Sequence, residues 1–353
     1  MPFTIDKESK QQKQERIPGV PVFKVIGVGG AGCNAINRMA DMGLKNVTLI
    51  AVNTDAQVLE VSKADITLQI GEKLTKGLGA GGNPKVGEDA ALEDKKKLEE
   101  VLHGTDMVFI TAGFGGGTGT GAAPVIAEVA KSMGILTVAI VTMPFFFEGT
   151  PRWNVALEGL KRIEGKVDTL IKINNNKLLE QLPLETTIVD AFATADEILH
   201  QGVRGISDLV LKRGYINLDF ADVDSVMRNA GNAMLGIGIG KGQKRVHDAT
   251  RRALDKKFLD YPIENARSII LNISAPRNAT LQEMQEAATL VKQMCSDNAD
   301  MKFGMVIDDE LPDDEMRVTV IATRFDIEEK YVNMEEDIPA IYKLGLDYKG
   351  KID

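Results

Sequence analysis

Cysteine and histidine are scarce in this chain, and their scarcity removes two classes of site. Two cysteines, Cys33 and Cys295, and three histidines, His103, His200 and His247, are spread over 353 residues. There is no C-x-x-C pair, so the sequence carries neither a zinc-ligand pattern nor a disulfide framework. Positive charge is also in deficit. The 42 Lys and Arg against 51 Asp and Glu leave a formal charge of -9, which argues against a nucleic-acid binder, because duplex binding needs an excess of cations over the phosphates. No run reaches the roughly 18 apolar residues of a membrane-crossing helix, and the N-terminus lacks the apolar core of a secretion signal. A cytosolic chain with no direct membrane insertion is expected. The string G-x-x-x-x-G-K-[ST] is missing as well. Any bound phosphate would therefore be met by backbone amides and a metal ion, with no protein metal site predicted.

What the chain does have is glycine, placed unevenly. Residues 111–124 read T-A-G-F-G-G-G-T-G-T-G-A-A-P, with five glycines between Gly115 and Gly121. The apolar run before them (106–110) reads as a buried strand, and 122–131 reads as a helix opened by Pro124. Glycines reach backbone angles that other residues avoid and leave no side chain in the way, so helix N-terminal amides can converge on an anion. Thr118 and Thr120 add hydroxyls. With one or two glycines a tight turn would be the simpler reading; five favour a phosphate cradle.

Taken in order, residues 1–19 are polar and read as a mobile arm. Residues 22–28 form an apolar run followed by G-V-G-G-A-G-C-N, in which Gly27, Gly29 and Gly32 satisfy G-x-G-x-x-G, with Asp55 beyond the next strand (48–53). A third cluster, G-L-G-A-G-G-N-P at 77–84, precedes a charged helix predicted over 85–102; on its own it reads as a surface loop. Another buried strand (135–143), a helix (151–165) and a strand (167–173) complete an alternation that implies a doubly wound parallel sheet. In such a sheet, loops after successive strands line one crevice, so one ligand could touch all three clusters. Glu148 and Arg152 flank Pro151 and could be a simple surface pair.

Residues 186–213 place apolar side chains at helical spacing despite Gly202 and Gly205, predicting one long central helix. The turn Y-I-N-L-D-F-A-D follows, with polar members Asn217, Asp219 and Asp222, and spacing alone makes Asp222 the N-cap of a helix over 223–229. A smaller mixed α/β region then follows. The expected organisation is an arm (1–19), a nucleotide-binding domain (20–185), a central helix (186–213), a C-terminal domain carrying the acidic turn (214–323), and a tail (324–353) with an apolar D-I-P-A-I-Y.

Three chemistries fit these residues: a nucleotide hydrolase, an NAD-dependent oxidoreductase using the first loop, and a binding scaffold that holds a nucleotide without turning it over. The second leaves 111–124 without a role, and the third leaves Asn217, Asp219 and Asp222 without one. If the base lies beside the start of the long helix, those acids lie roughly 25 Å away at 1.5 Å per residue. They could act only on a neighbour stacked head to tail.

Together, G-G-G-T-G-T-G, G-V-G-G-A-G-C-N, A-V-N-T-D-A-Q and N-L-D-F-A-D-V resemble the FtsZ family of prokaryotic tubulin-like cell-division GTPases, in the family's order from about residue 20 to 323. The resemblance implies a tubulin-like fold, GTP and GDP as ligands, Mg²⁺ held mainly through phosphates and water, head-to-tail filaments and a ring at the division site on the inner face of the membrane. It places Gly30, Ala31, Gly32, Cys33, Asn34, Gly116, Gly117, Thr118, Gly119 and Thr120 around the phosphates, with Gly79, Ala80, Gly81 and Gly82 near the γ-phosphate. Glu148, Arg152 and Asn53 would meet the ribose and phosphate region. Phe192 would stack on guanine and Asp196 would accept from its N1 and N2. Asn217, Asp219 and Asp222 would be catalytic on the neighbouring subunit's GTP. Residues 337–345 resemble the family's docking peptide for membrane-tethering and regulatory division proteins. The linker before it, at most 324–336, is short for the family.

Overall fold

A computed structural model describes residues 19–179, 182–183, 185–212, 214, 216–255, 263–296 and 298–325. The expected docking peptide and nearly all of the N-terminal arm lie outside the described residues. In the first half, apolar runs buried on both faces become parallel strands, as such runs do under helical cover. These are β1 (Phe23–Val28), β2 (Val47–Asn53), β3 (Ile66–Gln69), β4 (Met107–Gly113), β5 (Leu136–Met143) and β6 (Thr169–Asn174). They lie in the order β3-β2-β1-β4-β5-β6, every pair parallel.

The connecting helices are α1 (Gly29–Asp41), α2 (Ala56–Glu60), α3 (Glu72–Thr75), α4 (Pro84–Glu93), α5 (Lys95–Leu102), α6 (Thr118–Ser132) and α7 (Thr150–Ile163). α4, α5, α6 and α7 close one core against the sheet through residues such as Ala91, Leu102, Ile126 and Trp153. After α8 (Asn175–Leu179) come α9 (Ile188–Leu211) and α10 (Phe220–Met227). With α1 they close the opposite core, through Ile36, Met39, Leu199, Ile206 and Val223. The sheet is thus covered on both faces, as the alternation of strand and helix implies.

The described residues finish with β7 (Gly231–Lys241), α11 (Arg245–Ala253), β8 (Ala266–Ala275), α12 (Leu281–Met294), β9 (Asp300–Ile307) and β10 (Glu315–Phe325). The smaller α/β region does not form a separate sheet. β7 runs parallel to β6 from Thr169↔Gly231 to Ile171↔Ala233, and β10 pairs antiparallel with both β7 and β8, giving one ten-stranded sheet that ends β7-β10-β8-β9.

Three sequence expectations shift. The helix predicted over 85–102 breaks at Asp94, whose carboxylate turns inward to accept from Gly71 N at 2.8 Å and pair with Lys97. α6 begins at Thr118, inside the glycine run, so Pro124 lies within the helix and does not open it. Asp219, and not Asp222, caps α10: its Oδ1 accepts from Asp222 N at 2.8 Å.

α9 joins the two halves of the sheet. Its glycines are explained by packing: a Cβ on Gly202 would meet Leu235 Cδ2 at 2.8 Å, and one on Gly205 would meet Thr319 Cγ2 at 2.9 Å. Two helix-weakening residues thus let the helix lie against β7 and β10. Arg204 ties the same helix to the segment after β9, donating to Asp308 at 2.8 Å and Glu310 at 3.1 Å while pairing with Asp208 at 3.2 Å. His200 beside it is fully buried with neither ring nitrogen partnered among the described residues, and burial pushes its pKa down to about 4. The helix face therefore carries its cation on Arg204. Replacing Arg204 with Met keeps the packed stem and removes a charged donor from two buried carboxylates, leaving Asp208 to Lys212 at 2.8 Å and Asp308 to Arg317 at 3.9 Å, so Arg204→Met is expected to cost about 1.5–3 kcal/mol of stability. Urea unfolding reads it, and an unmoved midpoint would show that the network is dispensable.

Candidate functional site

Parallel strands place their carboxyl ends along one edge, so the loops after β1, β3, β4 and β5 meet there. α1 follows β1 with no intervening linker: Gly29, at φ 73°, is its first residue. Neither α1 nor α6 has a side-chain N-cap bond or an acid in its first turn. Both helix starts therefore present backbone N–H groups and the positive end of a helix dipole without a built-in counter-charge.

The glycines of these loops divide into two groups with different jobs. One group makes contact. A Cβ on Gly29 would lie 2.7 Å from Gly119 N, and one on Gly119 would lie 2.8 Å from Gly113 O. On Gly117 it would meet Ala80 Cβ at 2.8 Å and Asn83 N at 2.9 Å, and on Gly121 it would strike Pro84 O at 1.9 Å. The 77–84 loop, which on its own reads as a surface loop and beside the other two clusters as part of one crevice, is packed backbone to backbone against the signature loop. Thr54 Oγ1 and Thr118 Oγ1, 2.7 Å apart and buried, bring in the end of β2, and Thr120 Oγ1 accepts from Gly115 N at 2.9 Å.

The other group faces outward. A Cβ on Gly30, Gly81 or Gly82 would meet nothing within 4 Å, and one on Gly116 only the tip of Arg152 at 4.0 Å. Gly79 borders Asp55 more loosely, at 3.8 Å. With exposed Ala31 and Asn34, these residues make a small-residue rim over the two helix starts. Gly79, Gly81 and Gly82 are also held to glycine by φ of 84°, 57° and 75°, whereas bulk at Gly30 or Gly116 would only cover the helix starts, which a polyanion needs open for close approach to amides. Gly32 and Cys33 lie beneath the rim, buried. Burial pushes the Cys33 thiol up to about 11, and its neighbours are Val52 O, Gly27 O and Asn53 Nδ2 at 3.8–3.9 Å. It is an inert packing group. Asn53, also buried, turns its Oδ1 to Asp55 N at 3.2 Å.

Beyond β5, Glu148 accepts from Phe145 N at 2.8 Å and pairs with Arg152 at 2.9 Å, with the guanidinium beside Gly116 and the Arg152 stem and carbonyl against Gly115. The Glu148–Arg152 pair is therefore part of the rim and more than a surface pair. Further along, Phe145 stacks on Phe147 with centroids 5.0 Å apart and meets the edge of Phe192, also at 5.0 Å. Phe192 is 41% exposed, an aromatic face beside a buried aromatic base. One turn on, Asp196 is half-buried, and desolvation pushes its carboxyl up to about 6, opposed by Arg38.

The acidic turn lies elsewhere. β7 is parallel to β6, so it starts at the opposite edge of the sheet, and α10 immediately precedes it. Phe220 on α10 touches Phe23, the first residue of β1, at 6.0 Å, and Thr169, the first residue of β6, donates to Met227 O. Asn217, Asp219 and Asp222 are therefore held at the amino edge while the glycine rim, Arg152, Phe192 and Asp196 gather at the carboxyl edge. Sequence reading passed over Thr54, although it stands inside A-V-N-T-D-A-Q, and over Asn83, whose Oδ1 caps α4 by accepting from Lys85 N ahead of a proline at the first helical turn. An N-P pair before a charged helix is a readable cap signal.

Sequence profiles place these elements in known company. That of the Tubulin/FtsZ family, GTPase domain, matches residues 22–183, and that of the FtsZ family, C-terminal domain, matches residues 231–326. Among solved structures the chain is similar to an empty FtsZ dimer from M. jannaschii, at 44% identity and a TM-score of 0.83, over 90% of this chain and 91% of that one. A mutant FtsZ from the same organism matches at 44% identity and a TM-score of 0.83, over 87% and 92%. At 20% identity, CetZ2 from Haloferax volcanii, solved as a GTPγS-bound protofilament, shares the fold, with a TM-score of 0.72 over 92% and 99%. With sequence and shape agreeing along 90% of its length, the chain belongs to the FtsZ family of tubulin-like GTPases.

Proposed function

We propose that this chain assembles head to tail and that each GTP is hydrolysed between two copies. The observation that carries the proposal is the separation of the glycine rim from the acidic turn. From Asp196 to the end of α9 at Leu211 the helix runs about 22 Å at 1.5 Å per residue, and the turn lies beyond it at the far edge of the sheet. Stacking one copy on the next is what brings carboxyl edge to amino edge, a heterologous contact that extends into a filament.

In this reading Gly30, Ala31, Gly32, Cys33, Asn34 and Gly116 to Thr120 surround the phosphates, Gly79 to Gly82 approach the outermost one, and Glu148, Arg152 and Asn53 serve the ribose and phosphate region. Phe192 stacks on the base. Asp196 accepts from guanine N1 and N2, paired donors that adenine lacks. Asn217, Asp219 and Asp222 of the next copy order the water whose oxygen bonds to the γ-phosphorus as the β–γ bridging P–O bond breaks, releasing GDP and inorganic phosphate. A Mg²⁺ ion bound mainly through phosphates and water belongs to the same reading. That ion would neutralise charge on the transferring phosphoryl group.

The proposal extends to the organisation read from the sequence: a GTP domain over 20–185, a central helix over 186–213 and a C-terminal domain over 214–323. It also includes a division ring on the inner face of the membrane, reached through tethering proteins that bind residues 337–345. Among the described residues no helix is long and apolar enough to cross a membrane.

GTP turnover per molecule is expected to rise with protein concentration, and a rate that stays constant into dilute solution would sink the shared site. Asp222→Ala is expected to bind GTP normally and to lose about 10²–10⁴-fold in turnover. At the base, Asp196→Asn should weaken GTP binding roughly 10- to 100-fold, since hydrogen bonds to a charged acceptor are worth about 1.5–3 kcal/mol. Because the Asp196 carboxyl sits at about 6, native affinity should fall as pH drops below that value. The nucleotide phosphates titrate nearby, so the measurement is the difference between native and Asp196→Asn profiles. Parallel profiles would remove Asp196 from base recognition.

A further inference from the structure

The acidic turn is fastened to the edge strand β9. Met305 N donates to Ile216 O at 2.9 Å in an isolated antiparallel bridge, and a Cβ on Gly214 would lie 2.1 Å from Met305 O. The same strand carries Lys302, which stands in none of the motifs and comes eighty residues after Asp222 in the sequence. Its Nζ is 3.4 Å from Asp222 Oδ1 and 3.7 Å from Asp300 Oδ2.

The three polar side chains of the turn are engaged differently. Asn217 Oδ1 accepts from Gly214 N at 2.7 Å, and Asp219 Oδ1 accepts from Asp222 N at 2.8 Å, so both spend an oxygen shaping the turn. Asp222 is the third residue of α10. An acid there commonly folds back onto the N–H of the capping residue in a reciprocal capping box, as Glu283 does at the start of α12. At α10 only the forward half of that box is made. The Asp222 carboxylate reaches Lys302 across to the neighbouring strand instead.

We infer that Lys302 is a positioning residue for GTP hydrolysis, holding the Asp222 carboxylate out of the local cap and in the orientation that enters the next copy's pocket. The inference rests on the proposal that Asp222 acts on a neighbour's GTP. Without the ammonium, the reciprocal cap at the start of its own helix is left as the competing arrangement for the Asp222 carboxylate. A half-exposed ion pair contributes little to stability. The role is therefore one of orientation, and small displacements of a positioned group are costly in rate.

The test compares Lys302→Met, which keeps the stem and removes the charge, with Lys302→Arg. Lys302→Met is expected to lower turnover roughly 10- to 100-fold, with GTP affinity, filament mass by sedimentation and thermal midpoint unchanged, and Lys302→Arg to recover most of the rate. Added to Asp222→Asn, Lys302→Met should change nothing further, because its effect passes through that carboxylate. Normal turnover in Lys302→Met, or a loss that adds fully to that of Asp222→Asn, overturns the inference while leaving the shared site intact. Normal turnover in Asp222→Ala overturns the shared-site reading beneath it. If Lys302→Met chains do not assemble alone, they are mixed with Asp196→Ala chains, whose acidic turn is whole. Turnover that returns in the mixture supports the role of Lys302, and a mixture that stays silent overturns it.

Discussion

The packing of α9 against both halves of one continuous sheet is the constraint on which the rest of this architecture depends. The helix is 24 residues long, about 36 Å, and lies along the same core as α1 and α10. A helix of that length, buried on one face and pressed onto β7 and β10 at Gly202 and Gly205, is a rigid spacer. It starts beside the aromatic cluster at the carboxyl edge and delivers the chain to the amino edge. The glycine rim and the acidic turn are thereby held at two ends that a single copy cannot bring together, which is what the proposed shared site rests on.

At the carboxyl end the limiting physics is close approach of backbones. Three glycine loops touch each other at distances that a methyl group would violate, and the signature loop sits in the middle, in contact with β1's loop on one side and with 77–84 on the other. The contact locks two uncapped helix starts side by side. The outward Gly30 and Gly116 add no bulk over those starts. A glycine-rich stretch is often taken as flexible, and here it is a tightly packed junction with a thin open rim. The lack of a phosphate-reaching lysine is consistent with that design, since amides and helix dipoles supply the positive field and Arg152 adds a cation at the rim.

Much of this was legible in the chain. Most of the strand and helix order follows from apolar runs alternating with periodic segments, and the elements read shifted by only a few residues, whereas the short β3, α2, α3 and α8 are too brief to show a period. The failures have particular causes. Asp94 breaks a helix that charge and periodicity make continuous, because its carboxylate is drawn inward by Gly71, a residue 23 positions earlier in the sequence. Pro124 reads as a helix start, yet α6 begins six residues before it. Its first turn is stabilised by packing against α4, and local propensity is overruled. Asp222 looks like a cap by spacing, but Asp219 adopts the extended backbone that a cap requires.

The sequence alone determined where the chemistry-bearing residues stand: the glycine loops, Phe192 with Asp196, and the acidic turn are all local strings. Tertiary structure decided which glycines pack and which stay open, and that the sheet is one. It also put the acidic turn at the opposite edge from the cradle and gave Asp222 a lysine from β9 as its partner. These are contacts between residues far apart in the chain. Strand order, register and helix direction set them, and none of those leaves a local trace in the residues involved.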